Sequence, residues 1–253
     1  GEEAGAVHRA LAQVDDGVAR IAAAAKASRD VVADVDRQMG GIEADMRAGA
    51  KALDSALGRS EAFLKASEAL IEMVADAGVE TVDSPYIRAA QQAAAQIAQL
   101  LDGALRSGAI GEAELFDERY VPIPGTEPQQ HTTKFVALAE RLFPQVQEKM
   151  LELSDKVVFC IAVDRNGYIP CHNRQYNQPQ RPGDVLWNTA HSRGKRIFAD
   201  RTGLASARNE RPFLLQTYRR DMGGGHFVVM KEAAAPITVA GRHWGGLRLA
   251  FKF

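Results

Sequence analysis

Apolar and small residues in the first part of the chain recur at alternating steps of four and three: Val7, Leu11, Val14, Val18, Ile21, Ala25, Ser28, Val32, Val35, Met39, Ile42, Met46, Gly49 and Leu53. This spacing is a heptad seam, and it predicts long helices that associate with each other in a hairpin, with a second copy or with a partner. Many intervening positions carry charged or amide side chains, as a water-facing surface requires, while frequent alanine broadens the apolar stripe. After Leu53 the seam re-phases through Leu57, Leu64, Ile71 and Val74, in the manner of a four-residue stutter. Gly40-Gly41 interrupts the first seam at a cost of about 1 kcal/mol per glycine relative to alanine. It reads as a hinge or as a corner between two antiparallel helices.

Asp83-Ser84-Pro85 marks the next boundary, because proline suits a first helical turn and Asp or Ser caps one. A helix from about Pro85 to Arg106 is expected, closed by Gly103, Ser107 and Gly108. The prolines between Val121 and Pro128 fix φ and remove backbone donors, so this stretch is expected to be an irregular connector. Gln130 to Leu153 then reads as a helix with Phe135, Leu138, Leu142, Val146, Met150 and Leu153 on one face, bent or divided at Pro144. From Val157 the pattern becomes extended. VVFCIAVD runs into Asp-Arg-Asn-Gly and then YIPCHN, a hairpin signal in which Asn166-Gly167 accepts positive φ. Two more such signals lie at Met222 to Gly225 and at Ala240-Gly241. With a polar, partly helical excursion from Arg174 to Arg211, the sequence predicts an α+β chain. Long N-terminal helices, as a coiled coil or bundle over residues 1–119, precede a domain over 120–253 with a five-stranded antiparallel sheet.

Composition narrows the function classes. The 253 residues are 46% hydrophobic and 25% charged, enough to bury a core. A formal net charge of -1 gives no overall attraction to nucleic acid. No apolar run approaches the roughly 20 residues that cross a bilayer, and the start lacks the character of a secretory signal. Two cysteines, Cys160 and Cys171, make no disulfide framework and suit a reducing, cytoplasmic setting.

Five segments carry a resemblance: YVPIPGTEPQQ (120–130), VDRNGYIPCHN (163–173), WNTAHSRGKRIFADRTG (187–203), LLQTYRRDMGGG (214–225) and APITVAGRHWGGLRLAF (235–251). As a set they resemble the C-terminal sensor region of a group of bacterial methyl-accepting chemotaxis proteins, and the element order resembles PAS-like Cache sensory domains. The resemblance implies a non-enzymatic signal-transduction sensor for a small molecule or redox cofactor, with N-terminal helices that pair chains into a homodimer and face a chemotaxis partner. The kinase-contacting tip motif of such receptors, of the type E-x-x-x-Q-T-N-x-L-A-L-N-A, does not occur in this sequence. A stand-alone sensor, or a tip on a separate segment, is therefore expected.

In such a domain the ligand sits against the second strand, the excursion after it and the third strand. The candidate ligand-binding residues there are His172, Asn173, Trp187, Asn188, Arg193, Arg196, Tyr218, Arg219 and Asp221, with His191 nearby. Arginine forks match carboxylate or phosphate, aromatic rings supply flat walls, and Asp221 suits an ammonium. A small anion, carboxylate or amino-acid-like ligand fits this inventory. The plain alternative places Arg193, Lys195 and Arg196 on a solvated helix face and ties Asp221 to a turn amide. A haem alternative takes His172 as its ligand, although no CxxCH or HExxH spacing occurs. No metal site or catalytic residue is expected. Neighbouring Cys171 and His172 on a strand point to opposite faces and make a poor nucleophile and base. The remaining alternative is a dimerisation scaffold whose pocket is filled by Trp187 and Tyr218.

Overall fold

A computed structural model of the chain describes residues 2–253, with the side chains of residues 2–6, 9, 10, 12, 61, 72, 75 and 76 outside the description. The chain divides into two compact units, one up to Lys65 and one over Ala66–Phe253. The sequence places a boundary after residue 119 instead.

Helix α1 spans Glu2–Asp76 and is continuous through Gly40 and Gly41, so the hinge or corner expected there does not form. Two glycines cost about 2 kcal/mol in total, which propagation through alanine-rich flanks offsets. In the first unit the seam is solvent-facing: Val7, Leu11, Val14, Ile21, Met39, Ile42 and Met46 are each more than half exposed.

The second unit contains the sheet. Helix α2 (Ser84–Arg106) begins with Pro85 in its first turn, as expected, and buries a stripe of Ile87, Ala90, Ala93, Ala94, Ile97 and Leu101. Asp83 precedes it without capping it by its side chain; both carboxylate oxygens instead accept from Lys231 Nζ, at 3.0 and 2.8 Å. After the single turn α3 (Glu112–Leu115), the proline-rich connector is less irregular than expected. β1 (Val121–Pro122) pairs antiparallel with β2 (His131–Thr132), so the segment expected to open a helix begins as a strand. The helix is divided at Pro144, one of the two outcomes expected, into α4 (Val136–Leu142) and α5 (Pro144–Met150), because Pro144 lacks the N–H needed inside a helix and suits a first turn.

The main sheet is antiparallel with four strands, not five. These are β3 (Val157–Asp164), β6 (Leu214–Asp221), β7 (Phe227–Val239) and β8 (Arg242–Phe251), in the order β3-β8-β7-β6. The turn at Ala240-Gly241 has positive φ at both residues, 50° and 74°, as a tight two-residue hairpin requires. The β6–β7 hairpin closes around Met222 to Gly225, also as expected.

The missing strand is β4 (Tyr168–Ile169), which pairs with β5 (Arg196–Ile197) in a separate small sheet and not with β3. Three features prevent that hairpin. The Asp164 carboxylate accepts the N–H groups of Asn166 and Tyr168, each at 2.9 Å, so the Tyr168 donor goes to a side chain and not to a β3 carbonyl. Pro170 then removes the next backbone donor. The edge of β3 is met by side chains: Asn173 Oδ1 accepts from Cys160 N–H at 2.8 Å, and Gln175 Nε2 donates to Val158 O at 3.3 Å. Helices α6 (Val185–His191) and α7 (Arg201–Ala207) flank β5, and a 3-10 turn covers Arg174–Tyr176.

Strand alternation gives the sheet two different faces. One carries Cys160, Ala162, Leu215, Ala233, Ile237, Leu247, Leu249 and Phe251 in the main core with α2. The other carries Phe159, Ile161, Val163, Met230 and Ala250, a smaller apolar cluster. Gly246 lets α7 lie directly on this second face, because a side chain there would run into the Ser206 carbonyl.

Candidate functional site

The second face holds a cavity of about 280 Å³, walled by β3, β4, β6 and β8 and by residues of α6 and of the segment around β5. This lies just below the roughly 300–1,000 Å³ that accommodates drug-sized ligands, so a smaller occupant fits.

Arg220 is the most unusual residue of the wall. It is 1% exposed, and its Nε, Nη1 and Nη2 all lack hydrogen-bond partners. Its guanidinium lies 4.0 Å from the Tyr176 ring centroid and 5.2 Å from that of Phe159. Stacking on rings stabilises a cation, but a buried guanidinium without acceptors still carries a desolvation cost of several kcal/mol.

A second cationic locus forms around Phe198, where Arg193 and Arg196 each lie 4.9 Å from the ring centroid. Arg193 Nη1 donates to the carbonyls of Thr189, at 2.9 Å, and Asp221, at 3.0 Å, and so ties α6 to the end of β6. Arg196 Nη1 is buried without a partner. Burial and the neighbouring Arg220 and Arg196 charges pull the Arg193 guanidinium down to about 9, still a cation at neutral pH. Burial also lowers Arg196.

Arg248, also in the wall, is neutralised. Its Nε and Nη2 donate to both oxygens of the fully buried Glu232, at 2.7 to 3.0 Å. Glu232 accepts as well from Ser206 Oγ and Gln216 Nε2, which fixes α7 to β6 and β7 beneath the cavity. Burial opposes the Arg248 cation, but Glu232 more than offsets this and holds its proton more firmly than usual.

His172 faces the cavity from the segment after β4 and packs edge-on against Phe159 and Tyr176. Burial first, then Arg220, Arg193, Arg248 and Arg196, hold its pKa well below the ordinary imidazole value, so it is neutral. Its Nδ1 accepts from Asn173 N–H at 2.8 Å, which leaves the proton on Nε2. Ligation of iron through Nε2 requires that proton on Nδ1, where it would face an N–H donor. The haem alternative therefore does not fit His172. The Tyr218 hydroxyl, raised to about 12 chiefly by burial, also remains a donor.

Of the candidates from sequence, His172, Arg193, Arg196, Tyr218, Arg219 and Asp221 line the cavity. Asn173, Trp187 and Asn188 do not. Asn173 supports β3 and donates to Gln147 O at 3.1 Å. Trp187 stacks on His191 and Arg181. Asn188 is buried and holds the Arg181 and Glu127 carbonyls, each at 2.9 Å. The pocket is thus not filled by Trp187 as the scaffold alternative requires. Asp221 Oδ1 accepts from Gly223 N–H at 2.8 Å, as the plain alternative expects of it. Arg220 and Arg248 were missed. Period-two alternation from Tyr218 puts Arg220, rather than Arg219, on the same face, a signal present in the sequence.

No protein-family model and no curated protein matches the chain. Among the described residues, no helix is long and apolar enough to cross a membrane.

Proposed function

We propose that this chain is a cytoplasmic, non-enzymatic sensor of the PAS-like or Cache type, which binds a small anion and acts in chemotaxis-like signal transduction. The signalling class rests on the resemblance of its five C-terminal segments to chemoreceptor sensor regions. The ligand class rests on one observation: the buried Arg220 guanidinium with no acceptor on any nitrogen. An anion supplies those acceptors in a site whose walls strengthen charge-assisted bonds.

Ligand binding acts on signalling through unequal affinity for two arrangements of the sheet, and a coupling of about 1 to 3 kcal/mol suffices. The exposed seam of α1 is the surface through which two copies pair, giving a homodimer that presents the helices to a signalling partner. Sedimentation equilibrium reads that pairing; a chain that stays monomeric at micromolar concentration contradicts it.

Thermal melting of the full chain against carboxylates, phosphate and sulfate tests the ligand reading. An anion at about 100 times its Kd stabilises by about 2.7 kcal/mol, on the order of 5–10 °C for a domain of this size. A melting temperature unmoved by every anion class contradicts the reading.

A further inference from the structure

The polar inventory of the cavity is one-sided, and this defines more of the ligand than its charge. The buried wall presents donors: the Arg220 guanidinium, the His172 Nε2–H and the Tyr218 hydroxyl, with Arg193 and Arg196 beyond. The one buried carboxylate beside it is committed to protein donors, and the other two stand at its rim. Glu232 is saturated by Arg248, Ser206 and Gln216. Asp221 and Asp200 lie at the exposed rim, where each accepts a backbone N–H, from Gly223 and from Gly203 at the start of α7. An ammonium group entering with the ligand would meet uncompensated guanidinium groups and no free buried acceptor.

The cations also form two loci rather than one. Arg220 is held on Tyr176 and Phe159, whereas Arg193 and Arg196 share Phe198. Apolar surface from Phe159, Ile161, Ile169 and Phe198 completes the lining. A single inorganic oxyanion satisfies one locus and leaves the apolar wall uncovered.

We propose that the site takes a short-chain dianion without an ammonium group, one acidic head on Arg220 and the other on the Arg193 and Arg196 pair, its carbon skeleton against the aromatic and aliphatic wall. This rests on the anion-sensor reading above and excludes the amino-acid-like ligands that the sequence alone allows.

Calorimetric titration of the full chain with succinate, aspartate, butyrate and inorganic phosphate separates these chemistries. Succinate is expected to bind tightest, with the other three on the order of 10- to 100-fold weaker, the effect of losing one charge-assisted head or adding a repelled charge. Arg196→Gln, at a partly exposed position, is expected to bring succinate down towards butyrate while leaving butyrate within about 3-fold. Aspartate binding as tightly as succinate overturns the exclusion of ammonium. Butyrate or phosphate matching succinate overturns the two-headed arrangement, as does Arg196→Gln weakening succinate and butyrate equally; in each case anion sensing itself stands. Binding by none of the four, with the protein folded by its melting transition, overturns this inference and the anion reading together.

Discussion

The Arg220 guanidinium rests 4.0 Å from the centroid of the Tyr176 ring, with no hydrogen-bond acceptor on any of its three nitrogens. A site arranged for stability alone would not keep such a group. Arg220→Met retains much of the side-chain volume and removes the unpaired charge. The unliganded variant is therefore expected to melt no lower than the parent, and to gain up to about 1–4 kcal/mol. Chemical denaturation measures this. A loss of more than about 2 kcal/mol would show that Arg220 has a structural role instead.

Glu232 and Arg248 behave in the opposite way. Their paired geometry is complete and buried, so Glu232→Ala leaves a buried guanidinium uncompensated and is expected to cost about 3–5 kcal/mol. The double variant Glu232→Ala with Arg248→Met is expected to recover part of that loss. A double-mutant cycle with no coupling contradicts this description of the pair.

His172 gives the unliganded protein a pH dependence. Its folded pKa lies below the unfolded value near 6.5, so the unfolded chain binds the proton more readily. Stability is thus complete above about pH 6.5 and falls as pH drops below it, by at most about 1.4 kcal/mol per pH unit from this group. His172→Gln is expected to flatten the curve between pH 6.5 and 5 relative to the parent. Parallel curves for parent and variant would show that His172 does not titrate between the two states. A bound anion offsets the arginine charges and is expected to make the parent curve shallower.

Lys231 and Glu232 are neighbours on β7 and point to opposite faces, one to Asp83 at the start of α2 and the other to Arg248 in the cavity wall. This places a two-residue step between the site and the junction of α1 with α2. Anion binding is expected to slow amide exchange at the start of α2, and Lys231→Met is expected to remove most of that protection while costing about 1–3 kcal/mol of stability, since it leaves the buried Asp83 without its donor. Unchanged protection in the variant would show that the step does not carry the signal.

Much of this architecture was legible because its determinants are local. Period-two strands and the Ala240-Gly241 and Met222 to Gly225 turns located β6, β7 and β8, and Pro85 and Pro144 located helix starts. The hairpin after Asp164 was misread because Asn166-Gly167 signals the turn and not the partner. What redirects the strand is tertiary: the edge of β3 is satisfied by Asn173 and Gln175 side chains. Gly40-Gly41 suggested a break, since a local penalty says nothing of the helix length over which it is offset. Arg193, Arg196 and Tyr218 were found as residue types in the right segments. Arg220 was not, because adjacent Arg219 and Arg220 offer the same chemistry and the choice between them rests on the alternation from Tyr218, which puts Arg220 on the cavity face.

If Arg220 binds an acidic group, calorimetric titration with succinate separates the parent chain from Arg220→Met. Saturable binding to the parent is expected, with a loss of at least about 100-fold in the variant, equivalent to about 2.7 kcal/mol, while both proteins remain folded. Equal affinity for the two proteins would contradict it.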